Sequence, residues 1–367
     1  MATQDSIYWH KAGNSVGDHK IPMKALVMAA GYGTRLEPLT LAVPKPMAPI
    51  ANLPTMRHNL ELLKKHGFTD ITANIHYHPE QIENYFGDGS AFGVDLAYSF
   101  EKELQGTAGG VKLMAKLARV EDTFLVLSSD ALTDIDLSAL VAFHREKKAL
   151  VTIALCQVEE VSDFGVVVHD ENGKVIAFQE KPKPAVALSD LVNIGIYVIE
   201  PEILKLIPDG FYDFGRQLFP KLAQAGAAIF GCRLPGYWSD VGNLQKYMQA
   251  NSDALLGNVK IGLEGEKTIE NSLVGRHCSL GKNVILKNSI IGDNCNIGDG
   301  SVISGSIIWS DTVVGEGANV ENAIIGSWCR LGKNARIGVN SVLANRCVVS
   351  EGKTVAPGAK LAPNTTL

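Results

Sequence analysis

The chain has 367 residues, of which 46% are hydrophobic and 20% are charged, and its formal net charge at pH 7 is −5. This length predicts about two domains with enough chain to bury a hydrophobic core. No apolar run approaches the ~20 residues that a membrane-spanning helix needs, so we expect a soluble chain without a membrane partner. The slight acidic excess disfavours nucleic acid as a partner, because non-specific binding to it requires a basic surface. An anionic substrate must therefore meet a local concentration of positive charge.

The first part of the chain has the pattern of an α/β domain. Residues 1–22 lack the apolar core of a secretory signal, and we expect them to be a disordered N-terminal extension. Residues 23–254 alternate between strand and helix patterns, which predicts a Rossmann-like, mostly parallel sheet with helices on both faces. The predicted strands are 24–28, 71–75, 94–99, 123–127, 151–157 and 191–199, and the predicted helices are 55–66 and 138–147.

Residues 255–367 form the second predicted domain, because the helix patterns stop near residue 258 and glycines begin to recur. The interval is 17 residues, and it is kept by Gly281, Gly298, Gly315 and Gly332. Aliphatic residues precede these glycines: Leu280, Ile297, Val314 and Leu331. A repeat of about six residues, three to a coil, is typical of a β-helix solenoid built from hexapeptide repeats.

Four of the six cysteines follow nearly the same interval. They are Cys278, Cys295, Cys329 and Cys347, and Thr312 fills the vacant place in the series. We therefore expect them to occupy one position in successive coils. The chain has no C-x-x-C pair, so zinc and disulfide frameworks are disfavoured and a reducing, cytoplasmic setting is expected.

The stretch 29–40 is the most informative part of the chain. It follows the strand-like run 24–28, contains Gly31, Gly33 and Arg35, and is followed by Lys45 between two prolines. A Gly-rich turn after a first strand exposes backbone N–H groups that can bind phosphate oxygens. Arginine can bind phosphates through a planar fork, and lysine can supply a point charge. The spacing matches neither the dinucleotide-binding fingerprint nor the P-loop, so it favours a nucleoside-triphosphate site built for transfer chemistry.

This loop resembles the signature of the sugar-1-phosphate nucleotidyltransferases, roughly G-x-G-T-R-L-x-P-L-T followed by P-K-P. Within that family the chain is most similar to the mannose-1-phosphate guanylyltransferases that carry a C-terminal left-handed β-helix. The resemblance implies a Mg²⁺-dependent reaction of GTP with mannose 1-phosphate that gives GDP-mannose and pyrophosphate. It also implies that Arg35 and Lys45 are catalytic. The residues of the loop that it assigns to nucleotide binding are Ala30, Gly31, Gly33 and Thr34.

Two aspartates match the metal ligands of the family. Asp130 follows the apolar strand 123–127, and a carboxylate at the carboxyl end of a sheet strand lies where open α/β sheets bind ligands. Asp240 lies in the segment 236–242, which resembles the family pattern G-[FY]-W-x-D-[IV]-G. The resemblance implies that the two aspartates bind Mg²⁺, an ion that prefers hard oxygen ligands and accepts phosphate oxygens and waters as the rest of its shell.

Three further segments resemble the sugar-phosphate motifs of the family. Glu180 and Lys181 lie in a match to F-x-E-K-P, Gly165 in a match to [FY]-G-V-V, and Asn193 in a match to N-x-G-x-Y. A glutamate and an asparagine can hydrogen-bond sugar hydroxyls, a lysine can hold the attacking phosphate, and a glycine lets backbone approach the sugar.

The stretch 101–109 resembles the L-G-T-A-G nucleotide loop of the family, and this implies that Gly106 and Thr107 contact the nucleotide. Glu101 lies five residues before Gly106, where we expect the side chain that reads the base. A carboxylate only accepts hydrogen bonds, which matches the N1–H and N2–H₂ donors of guanine, whereas uracil and thymine suit a glutamine. This residue therefore favours GTP.

Three alternatives stay open. A UDP-glucose or ADP-glucose pyrophosphorylase would use the same machinery on another base and sugar. A regulatory subunit would bind a nucleotide sugar without turnover, although it would not need the complete set of Arg35, Lys45, Asp130 and Asp240. The β-helix could also serve mainly to assemble a homo-oligomer.

Overall fold

The computed structural model describes residues 23–267 and 270–367 of the chain. The predicted N-terminal extension lies outside the described residues. The strands up to residue 240 are β1 (Ala25–Met28), β2 (Pro49–Ile50), β3 (Leu53–Pro54), β4 (Asp70–Ile75), β5 (Asp95–Phe100), β6 (Phe124–Ser128), β7 (Ala131–Thr133), β8 (Val151–Gln157), β9 (Gly165–His169), β10 (Val175–Glu180), β11 (Leu191–Ile199), β12 (Ile229–Arg233) and β13 (Trp238–Asp240).

The α-helices alternate with these strands. They are α1 (Thr55–Lys65), α2 (Pro79–Phe86), α3 (Gly106–Leu117), α4 (Leu137–Lys147), α5 (Phe219–Gln224) and α6 (Leu244–Leu256), and a π-helical turn, Phe214–Leu218, precedes α5. Asp136 accepts a hydrogen bond of 2.9 Å from the backbone N–H of Ala139 and so caps α4. In the part of the chain that is described, no helix is long and apolar enough to cross a membrane.

A mixed sheet of nine strands forms the centre of this part. Its main order is β10-β9-β11-β6-β1-β4-β5, and β8 pairs with β11 and β12. Strand β1 is parallel to β4 and β6, with Ala25 opposite Ile71 and Leu125. Within the described residues only β10 and β11 oppose the direction of the other strands, because each pairs antiparallel with its neighbours. The predicted mostly parallel α/β sheet is therefore confirmed.

Alternate residues of β1 point to opposite faces of the sheet and into two different cores. Ala25 and Val27 belong to one core, which α1, α2 and α4 cover, whereas Leu26 belongs to the other, which α3 and α5 cover. All three side chains are fully buried. Truncating a large aliphatic side chain in such a core costs about 2–5 kcal/mol. Because each face of β1 must keep its buried side chains covered, the alternation determines which helices pack on which face.

The C-terminal part is a parallel β-helix with three sheets. One sheet contains Glu266–Lys267, Leu273–Val274, Ile290–Ile291, Ile307–Ile308, Ile324–Ile325, Val342–Leu343 and Lys360–Leu361. A second contains Ser279–Leu280, Asn296–Ile297, Val313–Val314, Arg330–Leu331 and Val348–Val349. The third contains Ile285–Lys287, Val302–Ser304, Asn319–Glu321, Arg336–Ile337 and Thr354–Val355. The predicted solenoid is confirmed, and its boundary with the first domain stays a prediction.

The predicted period of 17 residues holds for the first coils and then lengthens. Ile290 pairs with Ile307 and Ile307 with Ile324, but Ile324 pairs with Val342, 18 residues further. Cys278, Cys295, Cys329 and Cys347 lie at equivalent positions of the coils, and all of them are free thiols. The turns between strands frequently use asparagine in the left-handed conformation, which asparagine tolerates better than most residues do.

Helix α6 joins the two parts through a shared core. Trp309 occupies a place in the repeat where other coils have glycine, and its Nε1–H donates a hydrogen bond of 2.9 Å to Tyr247 Oη on α6. The Tyr247 hydroxyl in turn donates to the carbonyl oxygen of Pro49 at 2.6 Å. The same core includes Leu36 of the Gly-rich loop and Val241, next to Asp240. The β-helix therefore supports the segments that carry two predicted site residues.

Candidate active site

A cavity of about 380 Å³ opens where β1, β4, β5 and β6 end. These strands are parallel, so their carboxyl ends meet at the edge of the sheet where ligands bind in open α/β folds. The lining residues are Met28, Ala29, Ala30, Gly31, Lys45, Pro46, Asn74, Glu101, Leu104, Gly106, Thr107, Ser128, Ser129, Asp130, Glu180, Lys181, Phe211, Asp213 and Arg216. A second cavity of about 490 Å³, between the Gly-rich loop region and the β-helix, contains none of the predicted site residues.

Gly33 shapes the Gly-rich loop above this cavity. Its φ is +70°, and a Cβ atom added there would lie 2.8 Å from Lys45 Cβ and 3.1 Å from Thr40 Cγ2. The carbonyl oxygen of Gly33 accepts a hydrogen bond of 2.9 Å from the Thr40 hydroxyl, which closes the loop. Only glycine combines this left-handed backbone with such a close approach to Lys45. The glycine therefore sets the position of the lysine side chain.

Lys45 lies between the two predicted metal ligands. Its Nζ atom is 2.5 Å from Asp130 Oδ2 and 3.8 Å from Asp240 Oδ1, and its side chain is only 10% exposed. The two aspartates are brought together by the antiparallel pair β7 and β13, in which Asp240 lies opposite Ala131. Three predicted residues from distant parts of the sequence therefore converge at one point.

The two aspartates have different proton affinities. Burial favours the neutral form of Asp130, but the Lys45 ammonium and a hydrogen bond from Ser128 outweigh it and lower the pKa to about 2. Burial and the neighbouring charge of Asp130 raise the pKa of Asp240, against the opposite effects of Lys45, Lys246 and Arg35. The pair therefore retains negative charge through Asp130, and a metal cation requires such charge in its site.

The residues present fit a divalent metal ion. Mg²⁺ usually binds through one or two protein carboxylates and takes its other ligands from waters and substrate phosphates. Ser128 Oγ donates to Asp130 Oδ1 at 2.6 Å, which orients that carboxylate. The Lys45 ammonium pairs with both aspartates, which shows that the two carboxylates accept a positive charge between them. The described residues contain no group of three or more His, Cys, Asp or Glu suited to a metal. A dedicated all-protein metal cage is therefore not formed by them.

Arg35 does not line the cavity. Its guanidinium is 3.8 Å from Asp163 Oδ1 and 4.0 Å from Asp240 Oδ2, and its side chain is 50% exposed. Sequence reasoning gave no role to Asp163, nor to Lys246, which approaches the same two carboxylates at 3.6 Å and 3.9 Å. The only sequence signal for Asp163 is its place directly before the Phe-Gly-Val-Val segment.

Glu180 and Lys181 line the cavity at the end of β10, which lies four strands from β1 in the sheet. Gly165 is required there, because a Cβ atom would lie 2.4 Å from Phe178 Cζ and 3.2 Å from Glu180 Oε2. Burial, with a contribution from the negative charge of Asp213, raises the pKa of Glu180. Glu180 therefore lies in a site that disfavours its charged form unless a hydrogen-bond donor binds to the carboxylate.

Asn193 does not line the cavity. Its Nδ2 donates to Tyr197 Oη at 2.8 Å, and its Oδ1 accepts from the backbone N–H of Gly195 at 2.9 Å. The amide therefore satisfies hydrogen bonds within its own strand, β11, whose pairing with β8 is irregular at this point.

Glu101 lies at the floor of the cavity and is 2% exposed. Its Oε1 accepts from Asn74 Nδ2 at 2.5 Å, and its Oε2 accepts from the backbone N–H of Gln105 at 2.8 Å. Asn74 also accepts a hydrogen bond of 2.6 Å from the backbone N–H of Ala29, where the Gly-rich loop begins. The carboxylate thus links the loop to the segment that leads into Gly106.

Sequence reasoning missed the cavity wall around residues 211–216. Thr107 Oγ1 donates to Asp213 Oδ2 at 2.9 Å, and Asp213 Oδ1 accepts from the backbone N–H groups of Gly215 and Arg216 at 2.9 and 3.0 Å. A Cβ atom at residue 215 would lie 2.2 Å from Glu180 Oε2, so a larger residue there would displace the Glu180 carboxylate. An aspartate followed by a helical pattern is a capping signal, and this was the one available clue.

Comparison with known proteins finds family models that match both parts of the chain. A family model described as nucleotidyl transferase matches residues 24–256, and a model described as the left-handed β-helix (LbH) domain of EIF2B subunit epsilon matches residues 258–355. A crystal structure from Bacillus anthracis, named provisionally a glucose-1-phosphate thymidylyltransferase, is similar with a TM-score of 0.57 and 24% identity over 65% of this chain and 97% of that one. That likeness supports the fold alone.

Two curated relatives are similar at higher sequence identity. A UTP–glucose-1-phosphate uridylyltransferase of Synechocystis is 45% identical over 65% of this chain and 65% of that protein. A protein of Oryza sativa subsp. japonica, named provisionally mannose-1-phosphate guanylyltransferase 1, is 36% identical over 71% of this chain and 76% of that protein. With the family model spanning the sheet, the Gly-rich loop and both aspartates, this chain belongs to the nucleotidyl transferase family.

Proposed function

We propose that the chain transfers a nucleotidyl group from a nucleoside triphosphate to a sugar 1-phosphate. A phosphate oxygen of the sugar 1-phosphate attacks the α-phosphorus, the bond between that phosphorus and the bridging oxygen breaks, and pyrophosphate leaves with the bond's electrons. The observation that carries this proposal is the convergence of Lys45 on Asp130 and Asp240 beside a cavity at the carboxyl edge of the sheet. Such a reaction needs positioning and charge neutralisation, and no covalent intermediate on the protein.

The Gly-rich loop and two cations would bind the triphosphate. Ala30 and Gly31 line the cavity, and with Gly33 and Thr34 they belong to the turn after β1, whose backbone N–H groups would bind phosphate oxygens. Lys45 would neutralise charge near the α-phosphate, and Arg35 would hold the β- and γ-phosphates. Arg35 must leave its present carboxylate partners to do so, because it lies outside the cavity.

Asp130 and Asp240 would hold Mg²⁺. When bound, the ion would neutralise negative charge on the phosphate oxygens. The low pKa of Asp130, about 2, keeps that carboxylate ionised at neutral pH. Ser128 holds its second oxygen in place through a hydrogen bond of 2.6 Å.

Glu180 and Lys181 would position the sugar phosphate. The raised pKa of Glu180 reflects a buried carboxylate whose charged form gains from new donors, and sugar hydroxyls are such donors. Gly165 lets the Phe178 ring and the Glu180 carboxylate lie against the backbone of β9, which fixes where that carboxylate meets the sugar. Asn193 would read a second hydroxyl only after giving up one of its internal hydrogen bonds.

GTP and mannose 1-phosphate are the substrate pair we favour. The named activity of the Oryza sativa relative supports this choice, and so does Glu101, an acceptor-only side chain at the floor of the cavity. Its two oxygens accept one hydrogen bond each from the protein. A carboxylate has roughly four acceptor sites, so it retains the capacity to accept the two donors on the guanine edge.

UTP and glucose 1-phosphate form the second candidate pair. The observation that favours it is the Synechocystis uridylyltransferase, whose 45% identity exceeds the 36% of the Oryza sativa protein. If this pair is right, Glu101 is a structural residue that joins Asn74 to Gln105.

The test is pyrophosphate release with Mg²⁺ over four nucleoside triphosphates and the 1-phosphates of mannose, glucose and N-acetylglucosamine. Turnover confined to GTP with mannose 1-phosphate would support the favoured pair. Turnover with UTP or ATP and glucose 1-phosphate would keep the mechanism and overturn the substrate choice. No turnover with any substrate pair, in a sample of folded protein, would favour the regulatory subunit. Light scattering on the same sample would test the proposed homo-oligomer.

A further inference from the structure

Four charged side chains form a cluster on the outer side of Asp240, which we call the outer ion cluster. Its members are Arg35, Asp163, Asp240 and Lys246. Each cation approaches each carboxylate, with nitrogen–oxygen distances of 3.6, 3.8, 3.9 and 4.0 Å. These distances are longer than those of hydrogen bonds, so the four groups attract one another through their charges and not through directional hydrogen bonds. Two cations therefore compete for the same two carboxylates.

The two cations are held differently. Lys246 lies in the first turn of α6, where its backbone N–H donates to the capping side chain of Asn243 at 2.9 Å, and its Nζ lies 4.5 Å from the centroid of the Phe164 ring. Arg35 is 50% exposed, and its guanidinium has no ion pair shorter than 3.8 Å among those described. Arg35 is therefore the member that can leave, while Lys246 remains beside Asp163.

The present position of Arg35 is not the one that the reaction needs. Gly31 and Lys45, which would contact the triphosphate, line the cavity, whereas Arg35 does not. Asp163 approaches the guanidinium more closely than Asp240 does, at 3.8 Å against 4.0 Å. Moving the guanidinium to the phosphates would break its pairing with Asp163.

We propose that Asp163 and Lys246 are positioning residues that set how readily Arg35 reaches the nucleotide, an inference that rests on the proposed function. Asp163 holds Arg35 away from the cavity. Lys246 competes with Arg35 for Asp163 and Asp240, and it neutralises both carboxylates once Arg35 has left. The two residues therefore act on nucleotide affinity in opposite directions, and they do so through Arg35.

The test is equilibrium binding of GTP and UTP to the full chain, with turnover measured in parallel. For Asp163→Asn we expect the dissociation constant of the bound nucleotide to fall about two- to fivefold, the range of an exposed ion pair. For Lys246→Met we expect it to rise about two- to fivefold, because Arg35 then has no competitor. Glu171→Gln and Lys221→Met are exposed changes of the same charge and serve as controls.

A double-mutant cycle with Arg35→Met separates this role from a general effect of charge. The effect of Asp163→Asn should disappear in the Arg35→Met background, since there is no guanidinium left to release. An equal effect in both backgrounds, or weaker nucleotide binding by Asp163→Asn, would overturn the proposal. If the wild type releases pyrophosphate but none of the variants changes nucleotide affinity, only this inference is wrong. A wild type that binds neither nucleotide would overturn the proposed function and this inference together.

Discussion

Lys45 Nζ lies 2.5 Å from Asp130 Oδ2, across 85 residues of sequence, and the same nitrogen is 3.8 Å from Asp240. For Lys45→Met we expect the turnover number to fall about 10²–10³-fold, as when a single preorganised charge is removed from other active sites. The rate of pyrophosphate release at saturating substrate concentrations measures the turnover number.

Lys24→Met is the matched control for this change. Lys24 also pairs with an aspartate, Asp70 at 3.0 Å, but lies at the start of β1 away from the cavity. Its turnover should stay within about twofold of wild type, in line with the small contribution of exposed ion pairs. Wild-type turnover in Lys45→Met would contradict the assignment of Lys45.

Gly33→Ala should destabilise the fold more than Gly31→Ala. The first change places a Cβ atom 2.8 Å from Lys45 Cβ on a backbone with φ of +70°, whereas the second meets nothing within 4 Å. A left-handed backbone alone costs a non-glycine residue about 1–2 kcal/mol. Urea unfolding of the two variants measures the difference in the free energy of unfolding, and equal values would show that the loop relaxes around Gly33.

Glu180→Gln should raise the KM for the sugar 1-phosphate about 10–100-fold, because a hydrogen bond to a charged group contributes about 1.5–3 kcal/mol. The KM for the nucleoside triphosphate should change little, since Glu180 ends β10, four strands in the sheet from β1 and the Gly-rich loop that follows it. Initial rates with each substrate varied in turn separate the two constants. Glu171→Gln, on the turn between β9 and β10, is the control. A rise in the KM for the nucleoside triphosphate alone would contradict the assignment of Glu180 to sugar-phosphate binding.

His144 should make the fold less stable in mild acid. Burial lowers its pKa, despite the opposing effect of Glu200, with which its Nε2 makes a contact of 3.0 Å. A histidine whose pKa is lower in the folded chain binds protons more readily when unfolded, so stability falls as the pH drops below about 6.5, the unfolded value. His144→Gln should show a shallower loss of the free energy of unfolding between pH 7.5 and 5.5. Equal slopes in urea titrations would exclude this role.

Trp309→Phe should destabilise the junction of the two parts. Trp309 is buried and donates to Tyr247 Oη at 2.9 Å, so the change removes a hydrogen bond and leaves a small void. We expect a loss of about 1–3 kcal/mol in the free energy of unfolding. Trp328→Phe is the control, because Trp328 is 51% exposed. A similar loss in both variants would indicate a general effect on the β-helix.

Local sequence patterns predicted those parts of the fold and of the candidate site that depend on a few neighbouring residues. The Gly-rich loop could be located because its turn needs glycine. Gly33 has a left-handed backbone and lies close to Lys45, and only glycine tolerates both. The solenoid could be predicted because each coil repeats the same contacts, as in the pairs Ile290–Ile307 and Ile307–Ile324. Asp130 and Asp240 could be named from their segments, but not their common contact with Lys45, which depends on the pairing of β7 with β13.

Contacts between distant or irregular segments could not be predicted. The amide of Asn193 bonds Tyr197 Oη because β11 has an irregular pairing, for which the sequence carries no periodic signal. The pairing of Arg35 with Asp163 joins two loops that only the folded sheet brings together. A charged residue in a loop has no pattern that indicates its partner, so these contacts needed the structure.

Helix α6 limits how the β-helix can change its length. The helix has 13 residues, and it shares one buried core with Ile290, Ile307, Ile324 and Val342, which belong to four successive coils. At ~1.5 Å per helical residue and ~4.8 Å per coil, the helix covers about 20 Å and those coils about 14 Å. A coil inserted between Ile290 and Trp309 would move Trp309 away from Tyr247, and one inserted between Trp309 and Val342 would move the later coils out of the core shared with α6. Duplication of coils is therefore open only beyond Val342, towards the carboxyl terminus.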